Sequence, residues 1–532
     1  MNLTIRQQVE LACRHLLSAV NRDPYSNTYG CFDRRYWAWK LADFPEATFQ
    51  RNAAALTWLA MQPGESPEPL HTIAHAALRF AARVQHRDGS FDQAFPMERS
   101  YAATAFLLHP LLQTYRALPE RIRAQDELES MLRRAADFLC RADETHGCIS
   151  NHVAGAVLAL YDAFEMFGES RYKARAHELL DRVLSWQHAE GWFVEYEGAD
   201  PGYQTLCLYY LAQIYDREKS DRLKQSIARS LEFLSFFAHP DGTFGGEYGS
   251  RRTSILYPGG LAILRDEFPV ARALLVFAVR SIESGTTVTL RDVDFGNLAP
   301  LLSNYIVVID RNADSAGDSR LPCDEEAFTR DFPAAGLFVR SSARYYAVIG
   351  ASNGGVTRVF DKNERRSLWN DAGYVGELAN GRRITTQATN LRTSAEAEER
   401  RITFTVPFRY LDEPPMTPGR NLMLRMLNLT FMRSARIGEM IKKLLVRLLI
   451  TGRATAPLSL TRTIRFGDRI TIEDRIALTS DVTVRRLECG RRFVSIHMAS
   501  ARYYEGSHFE KPHRVDVERL NRERQVTTVI EP

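Results

Sequence analysis

A short glycine loop recurs between helical segments, and this repeat constrains the fold more than any other feature of the sequence. It occurs five times, with its glycines at Gly30, Gly89, Gly147, Gly191 and Gly242. Successive glycines are 59, 58, 44 and 51 residues apart. Each step accommodates a hairpin of two helices with its loops, and repetition at this length indicates stacked, similar units. If the hairpins close around an axis, their loops gather at one end, where a binding site would lie.

The two halves of the chain differ in the period of their apolar residues. Up to about residue 285, the spacing i, i+3, i+4, i+7 predicts amphipathic helices, as in TIAHAALRFAARVQ and VAGAVLALYDAFEMFG. After about residue 290 the period becomes two, as in RITFTVPF and DRITIEDRIAL, which is typical of antiparallel strands. The sequence therefore predicts an α+β multidomain protein, with an (α/α) toroid over residues 1–285 and an antiparallel β-sandwich over residues 286–532.

Length, charge and cysteine usage narrow the function classes. The 532 residues suffice for two or more domains. A formal net charge of +4 is nearly balanced, so no nucleic-acid partner is expected. The seven cysteines are scattered without CxxC spacing, which favours reduced thiols in a cytosolic protein. The N-terminal stretch lacks a signal-peptide pattern, and no run of about 18 apolar residues occurs. We therefore expect a soluble, cytoplasmic protein.

One segment, residues 419–453, interrupts the β pattern. It is apolar and basic, with helical periodicity over IGEMIKKLLVRLLI, and Glu439 is its only acidic residue. A basic amphipathic helix can lie on an anionic membrane surface, which would make the protein peripheral to the inner membrane. The alternative is a helix that covers the sandwich with its charges solvated, and the pattern slightly favours this alternative.

Three stretches carry a resemblance to a known family. They are ISNHVAGAVLAL, which contains Asn151 and His152, YEGADPGYQTLCLYYL, which contains Tyr203, and GGEYGSR within the loop HPDGTFGGEYGSRRTS at 239–254. Together with the helical and β halves, they resemble the heparinase II/III-like polysaccharide lyases, which include oligoalginate lyases and are related to glucuronyl C5-epimerases. The resemblance implies that Asn151, His152 and Tyr203 face a substrate uronate.

The sequence departs from the family pattern in its β half. Lyases of this family also use a histidine in an early strand of the β domain, but no histidine occurs between His239 and His497. Asn353 lies near the corresponding position, and either Asn353 or Arg358 is a candidate to take over part of the role. His508 is a further candidate, although an ordinary strand-end residue is the better interpretation of it.

The residue types suit proton abstraction next to a carboxylate. Both β-elimination from a 4-linked uronate and inversion at its C5 begin with loss of the C5 proton, so the site must stabilise an enolate with hydrogen-bond donors. Tyr203 or Tyr248 could act as the base if nearby cations favour the phenolate. Arg251 and Arg252 could supply that charge and, with Glu247, hold the sugar. No HExxH or CxxC spacing suggests a metal, and no cofactor is expected.

Each candidate also has a structural interpretation. Asn151 is a residue type favoured at helix N-caps, and Tyr203 could be a core aromatic at a helix start. Glu98 and Arg99 lie in the second repeat loop, where binding a sugar and pairing with each other are equally good interpretations.

Three function hypotheses follow. The first is a lyase of uronate-containing acidic polysaccharide, linked to exopolysaccharide or lipopolysaccharide synthesis, with a C5-epimerase of the same fold as its variant. The second is a polysaccharide-binding scaffold without catalysis. The third is a toroid like that of the terpene cyclases, suggested by VQHRDGSF and WQHAEGWF, but no DxDD motif occurs and a long β-sandwich does not belong there.

Overall fold

The helical part of the chain forms a ring of hairpins. The computed structural model describes residues 3–124, 128–145, 147–312, 320–411, 415–434, 437–438, 440–441, 454–490 and 512–532. Its helices in this part are α1 Ile5–Ala19, α2 Arg34–Trp37, α3 Ala53–Ala60, α4 Pro67–Val84, α5 Tyr101–Ala117, α6 Glu120–Arg123, α7 Leu128–Arg141, α8 Ser150–Phe167, α9 Ser170–Ser185, α10 Pro201–Arg217, α11 Asp221–Ser235, α12 Gly259–Leu264, α13 Pro269–Ser284 and α14 Phe295–Asp310.

The helices sort into an inner and an outer layer by burial. The inner helices α5, α8, α10, α12 and α14 pack in sequence order, and α14 then contacts α1 and α3, which closes the ring. Inner α10 is buried almost all round, whereas outer α9 buries only a stripe of four residues, Tyr172, Ala176, Leu179 and Val183. A helix that is apolar on every side belongs in a core, and an amphipathic one belongs at the surface.

Four of the five repeated glycines lie where their loop touches the next outer helix or a residue just after it, whereas nothing lies within 4 Å of a Cβ placed on Gly147. Gly191 has φ +100°, and a Cβ placed on it would lie 2.3 Å from the carbonyl oxygen of Arg229 in α11. A glutamine recurs four residues before the glycine and bonds the loop to the next outer helix. Gln187 Nε2 donates to the carbonyl oxygens of Gly191 (3.1 Å) and Ser226 (2.9 Å), which ties the loop to α11. Gln85 makes the equivalent bonds to the loop at Gly89 and to α7.

The helical part extends past residue 285, where the sequence placed its end. Helix α14 completes the ring and ends at Asp310, and the first strand begins at Phe328. Period alone did not reveal α14 because FGNLAPLLSNYIVVID is apolar on most of its surface and carries an internal proline, Pro300.

Two antiparallel sheets follow. The first has the order β1-β2-β3-β4-β5, and the second has the order β13-β12-β6-β7-β9-β10-β11-β14 with β8 paired to β9. The strands are β1 Phe328–Phe332, β2 Leu337–Ser341, β3 Tyr345–Gly350, β4 Val356–Asp361, β5 Arg366–Asn370, β6 Tyr374–Leu378, β7 Arg383–Thr385, β8 Ala395–Glu398, β9 Arg401–Tyr410, β10 Thr455–Phe466, β11 Ile470–Leu478, β12 Val484–Cys489, β13 His513–Arg514 and β14 Gln525–Ile530. A short helix, Val517–Glu523, precedes β14. The predicted α+β class is confirmed.

The first sheet lies between the helical ring and the second sheet. Strands β2, β3 and β4 are therefore buried on both faces rather than alternately. On the ring side, Phe332 packs against Phe233 and Phe236 of the α11 end, with ring centroids 4.9 and 5.6 Å apart. Tyr346 donates its hydroxyl hydrogen to the carbonyl oxygen of Phe236 at 2.7 Å. These contacts make the hydrophobic core of the ring continuous with one face of the sheet.

The basic segment contains a helix that begins earlier than the periodic stretch. Helix α15 spans Pro418–Leu429, and a 3₁₀ turn follows at Phe431–Arg433. Most of the predicted helix over 437–450, and His508, lie outside the described residues. Within the residues that are described, no helix is long and apolar enough to cross a membrane.

Candidate active site

A cleft of about 960 Å³ opens at the end of the ring where the inner helices begin. Asn151 and His152 of α8, Tyr203 of α10 and Phe295 of α14 each lie in the first turn of their helix, and all four line it. Helix N-termini carry unsatisfied N–H groups and a positive partial charge, so several of them meeting at one cleft favour an anionic ligand. Every described residue that lines the cleft belongs to the helical ring.

Asn151 and His152 are each oriented by a carboxylate. The Asn151 amide donates a hydrogen bond to the carboxyl group of Glu195, and its Oδ1 is buried without a partner among the described residues. His152 Nδ1 lies 2.7 Å from Glu144 Oε2. If Nδ1 carries the proton in this contact, Nε2 of the neutral ring is left as an acceptor. Phe106 packs edge-on against the imidazole, with the centroids 5.1 Å apart.

Tyr203 is held by the cap of its helix. Asp200 is the N-cap of α10, and its Oδ1 accepts the Tyr203 backbone N–H at 2.9 Å. The other carboxylate oxygen accepts the backbone N–H groups of Arg251 (2.8 Å) and Thr253 (3.3 Å). Asp200 is fully buried, and burial raises its pKa, whereas these hydrogen bonds oppose the rise. The start of α10 and the 249–253 turn therefore share one anchor.

A tyrosine and an arginine stack at the edge of the cleft. The guanidinium carbon of Arg251 lies 3.9 Å from the centroid of the Tyr196 ring, a cation–π contact. Tyr196 lines the cleft and has φ +59°, a strained conformation for a tyrosine. Burial raises the pKa of Tyr196 to about 12, although Arg251 opposes the rise. The Glu195 carboxyl behind it has a pKa well above its ordinary value, because it is buried and Asp200 lies close.

A half-buried arginine forms the floor. Arg51 lines the cleft with Tyr210 and Tyr257, and its Nη2 donates to the carbonyl oxygen of Gly296 at 2.6 Å. Burial raises the pKa of both tyrosines, and the charge of Arg51 opposes that rise. Arg51 is thus the cation placed to favour a phenolate or an enolate on the floor.

The opposite wall is acidic but largely neutralised. Arg35 Nε lies 3.2 Å from Asp33 Oδ1, and its Nη2 lies 3.3 Å from Glu46 Oε2. Burial raises the pKa of Glu46 despite Arg51 and Arg35. This wall can offer hydrogen bonds to sugar hydroxyl groups.

Several residues expected at the site lie elsewhere. Tyr248 is fully buried, and its hydroxyl contacts His239 Nε2 at 2.9 Å beneath the first sheet. Asn353 donates its amide hydrogen to the carbonyl oxygen of Tyr248, and Arg252 Nη2 donates to the carbonyl oxygen of Gln387 at 2.9 Å. None of these groups lines the cleft, so the structure does not bring Tyr248, Asn353 or Arg252 to Asn151, His152 and Tyr203, and their catalytic and substrate-binding roles stay predictions.

These residues lie away from the cleft because the 239–254 loop joins the two domains. Arg358 of β4 is fully buried and donates to the carbonyl oxygen of Gly245 at 3.3 Å. Glu247 is buried beside Tyr248, whose pKa is raised chiefly by burial and also by the Glu247 charge. The glycines of this loop allow close approach to the sheet, because a Cβ on Gly246 would lie 2.8 Å from Arg358 Nη1. Of the predicted residues in the loop, only Arg251 reaches the cleft side.

The second repeat loop uses its charges structurally. Glu98 is buried and accepts the backbone N–H groups of Gln93 and Ala94 at 2.9 and 2.6 Å. Arg99 Nη2 donates to the carbonyl oxygen of Arg433 at 3.0 Å, which joins the ring to the segment after α15. Neither side chain lines the cleft, and their sugar contacts stay a prediction.

The chain is similar to known proteins in part of its sequence and in its fold. Residues 56–261 match the family model of the ulvan lyase N-terminal domain. No curated protein matches the chain. The chondroitin AC lyase of Streptomyces coelicolor A3 in complex with chondroitin sulphate is 12% identical with a TM-score of 0.55, over 91% of this chain and 67% of that one. A heparinase III structure is 9% identical with a TM-score of 0.56, over 100% and 84%.

The resemblance to the heparinase-like polysaccharide lyases is confirmed. At these identities the two structures establish the heparinase-like fold, a helical toroid with a β-sandwich. The matched ulvan lyase segment runs from α3 into α12 and contains Asn151, His152 and Tyr203.

Several residues that line or support the cleft were not predicted from the sequence. Asp200 was readable, because an aspartate directly before Pro201 is a helix-start signal. Tyr196 lies inside the fourth repeat loop. Arg51 and Tyr257 carry no local signal, since only closure of the ring brings them to Tyr210.

Proposed function

We propose that the cleft binds an acidic polysaccharide and removes the C5 proton of a uronate, followed by β-elimination. The support is the meeting of Asn151, His152 and Tyr203 in one cleft that also holds half-buried Arg51 and several helix N-termini. These features favour a bound carboxylate and the negative charge that develops on it.

Each residue has a role in this proposal. Asn151, fixed by Glu195, donates its second amide hydrogen to the uronate carboxylate, and His152, held by Glu144, donates to it from Nε2 as the imidazolium. Tyr203 as phenolate takes the C5 proton, so the C5–H bond breaks and the electron pair passes into the enolate. The C4–O bond then breaks, a C4–C5 double bond forms, and the departing oxygen takes a proton from a phenol or water.

A C5-epimerase is the second candidate. It is favoured by one observation, that every described cleft residue comes from the helical ring, so no described β-domain group protonates the leaving oxygen. In that reaction the same enolate is reprotonated on its opposite face. The link to exopolysaccharide or lipopolysaccharide synthesis and the cytoplasmic location stay predictions.

The test is incubation of the full chain with ulvan, chondroitin sulfate, heparan sulfate and homopolymeric uronates in heavy water. Ultraviolet absorbance reports unsaturated ends, and NMR reports deuterium at C5. Absorbance supports a lyase, deuterium at C5 without absorbance supports an epimerase, and binding without either signal supports a scaffold. Absence of binding to every polymer would refute the substrate class.

Two matched variants locate the reacting phenol. Tyr203→Phe is expected to lower kcat/KM at least about a hundredfold, the range for loss of a general acid–base group. Tyr248→Phe removes the same hydroxyl group beneath the sheet, away from the cleft, and should leave kcat/KM nearly unchanged. The opposite order of effects would return the reaction to the 239–254 loop and contradict the proposal.

A further inference from the structure

Helix α15 exposes an apolar face to solvent. Leu422, Met426 and Leu429 are 63%, 61% and 56% exposed and follow one another at i, i+4 and i+7, so they form one stripe. Phe431 in the next turn is 58% exposed. The opposite side holds half-buried Leu424 and Leu427 and fully buried Asn428. A surface helix normally exposes its polar side, and one that is apolar all round belongs in a core or a lipid phase.

The helix is fixed against the ring. Arg425 Nε lies 2.6 Å from Asp43 Oδ2, and its guanidinium lies 5.5 Å from the centroid of the Phe44 ring. At the other end, Arg99 binds the carbonyl oxygen of Arg433. The apolar face is therefore presented in a defined orientation by contacts to two separate loops of the ring.

The loop that receives α15 adds two exposed apolar side chains. Trp39 and Leu41 are 65% and 83% exposed and lie within four residues of Asp43, the partner of Arg425. We define the α15 patch as Trp39, Leu41, Leu422, Met426, Leu429 and Phe431. Contiguous exposed apolar surfaces of this kind mark interaction sites with proteins or membranes.

The charges around the α15 patch favour a membrane over a protein as its partner. Lys40, Arg420 and Arg433 are exposed around the α15 patch, and none of them pairs with a carboxylate among the described residues. Residues 415–434 contain no aspartate or glutamate. Unpaired cations around a centre of Trp, Leu, Met and Phe fit an anionic lipid surface, where apolar side chains enter the acyl boundary and cations meet lipid phosphates.

We propose that the α15 patch docks the protein on the surface of an anionic lipid bilayer. Helix α15 lies in the plane of the interface, with its stripe and Trp39 in the apolar boundary and the three cations at headgroup level. Helix α2 supplies Arg34 and Arg35 to the wall of the cleft and ends two residues before Trp39. Docking therefore holds the mouth of the cleft beside the lipid. The proposal does not depend on the reaction that the cleft performs.

The experiment is sedimentation of the full chain with vesicles of phosphatidylcholine alone or mixed with phosphatidylglycerol, without saccharide. Binding is expected only with phosphatidylglycerol and should weaken at high salt. Replacing Leu422 and Met426 by serine together should lower the partition coefficient at least about tenfold, because two apolar side chains leave the acyl boundary. Arg420→Gln and Arg433→Gln should each lower it about fivefold.

A matched control replaces Leu11 and Val529 by serine, since these apolar residues are also exposed, at 54% and 56%, and lie outside the patch. This control should bind as the wild type does. Quenching of tryptophan fluorescence by brominated lipid should disappear in Trp39→Phe, which reports insertion independently of affinity.

Three outcomes would overturn the proposal. They are no binding to phosphatidylglycerol vesicles, equal binding by the Leu422/Met426 variant and the control, or a dimer without lipid that the Leu422/Met426 variant abolishes. The last outcome would identify a second copy of the chain as the partner. Circular dichroism of each variant verifies that its fold is intact.

Discussion

Gly191 offers a direct test of why glycine recurs in the loops, because a methyl group there would collide with the next outer helix. Its Cβ would lie 2.3 Å from the Arg229 carbonyl oxygen, closer than real Cβ contacts by about 0.7 Å. Gly168, at the C-cap of α8, is a matched control. It also has a positive φ, +71°, but nothing lies within 4 Å of the position of its Cβ.

The two alanine substitutions should differ in how much they lower the free energy of unfolding, because only the one at Gly191 causes a collision. A left-handed conformation costs an alanine about 1–2 kcal/mol, and both variants bear that cost. Gly191→Ala adds overpacking, about 1–3 kcal/mol in well-packed regions, and its φ of +100° is beyond the usual left-handed region. We expect Gly168→Ala to lower the free energy of unfolding by about 1 kcal/mol, and Gly191→Ala by about 3–4 kcal/mol.

Urea unfolding followed by far-ultraviolet circular dichroism measures both values on the helical transition. A thermal scan should give a larger loss of Tm for Gly191→Ala, at about 2–4 °C per kcal/mol for a domain of this size. Equal destabilisation by the two variants would show that backbone conformation alone selects glycine, and would refute the argument from close approach.

Three further predictions concern buried charge. Arg462→Met should destabilise the sandwich by about 3–5 kcal/mol because it leaves two buried carboxylates, 2.6 and 2.7 Å from the guanidinium, unpaired, whereas Arg465→Met on the exposed side of β10 should cost less than about 1 kcal/mol in the same urea assay. Burial lowers the pKa of His239 well below its usual value, so only the unfolded imidazole takes up a proton between about pH 7.5 and 5.5. Over that range the free energy of unfolding should fall by about 1.4 kcal/mol more in wild type than in His239→Gln. Equal losses in the two proteins would contradict this. Because the pKa of Glu195 is raised, its stabilising contribution is present at low pH and lost as pH rises, so Glu195→Gln should exceed wild type in stability near pH 8 and match it near pH 4 in thermal scans.

Local sequence signals predicted the helices and strands better than they predicted which residues meet in the folded protein. The helical and strand periods and the repeated glycines are consequences of burial and of backbone approach within one or two units, so they are readable along the chain. Asn151 and Tyr203 could be placed because the stretches that contain them resemble a known family. Arg51 and Tyr257 could not, since they lie far apart in sequence and meet only when α14 closes the ring.

The position of Tyr248 away from the cleft has a specific physical origin. The loops at 190–198 and 241–249 carry the same glycine–aromatic–carboxylate pattern and precede inner helices in the same way. The first sheet, however, packs on the tyrosine of the later loop and meets the earlier loop at Glu190, which accepts the backbone N–H groups of Ala334 and Ala335. The later tyrosine is therefore buried against His239, while Tyr196 of the earlier loop faces the cleft. A repeat therefore predicts where equivalent loops lie on the ring, and the domain that packs on one of them decides which can meet a ligand. Asp200 connects the two loops. Its carboxylate accepts hydrogen bonds both from the start of the helix that presents Tyr203 and from the turn that carries Arg251. Docking of the β domain on the later loop thus fixes the geometry of the cleft without lending it a described side chain.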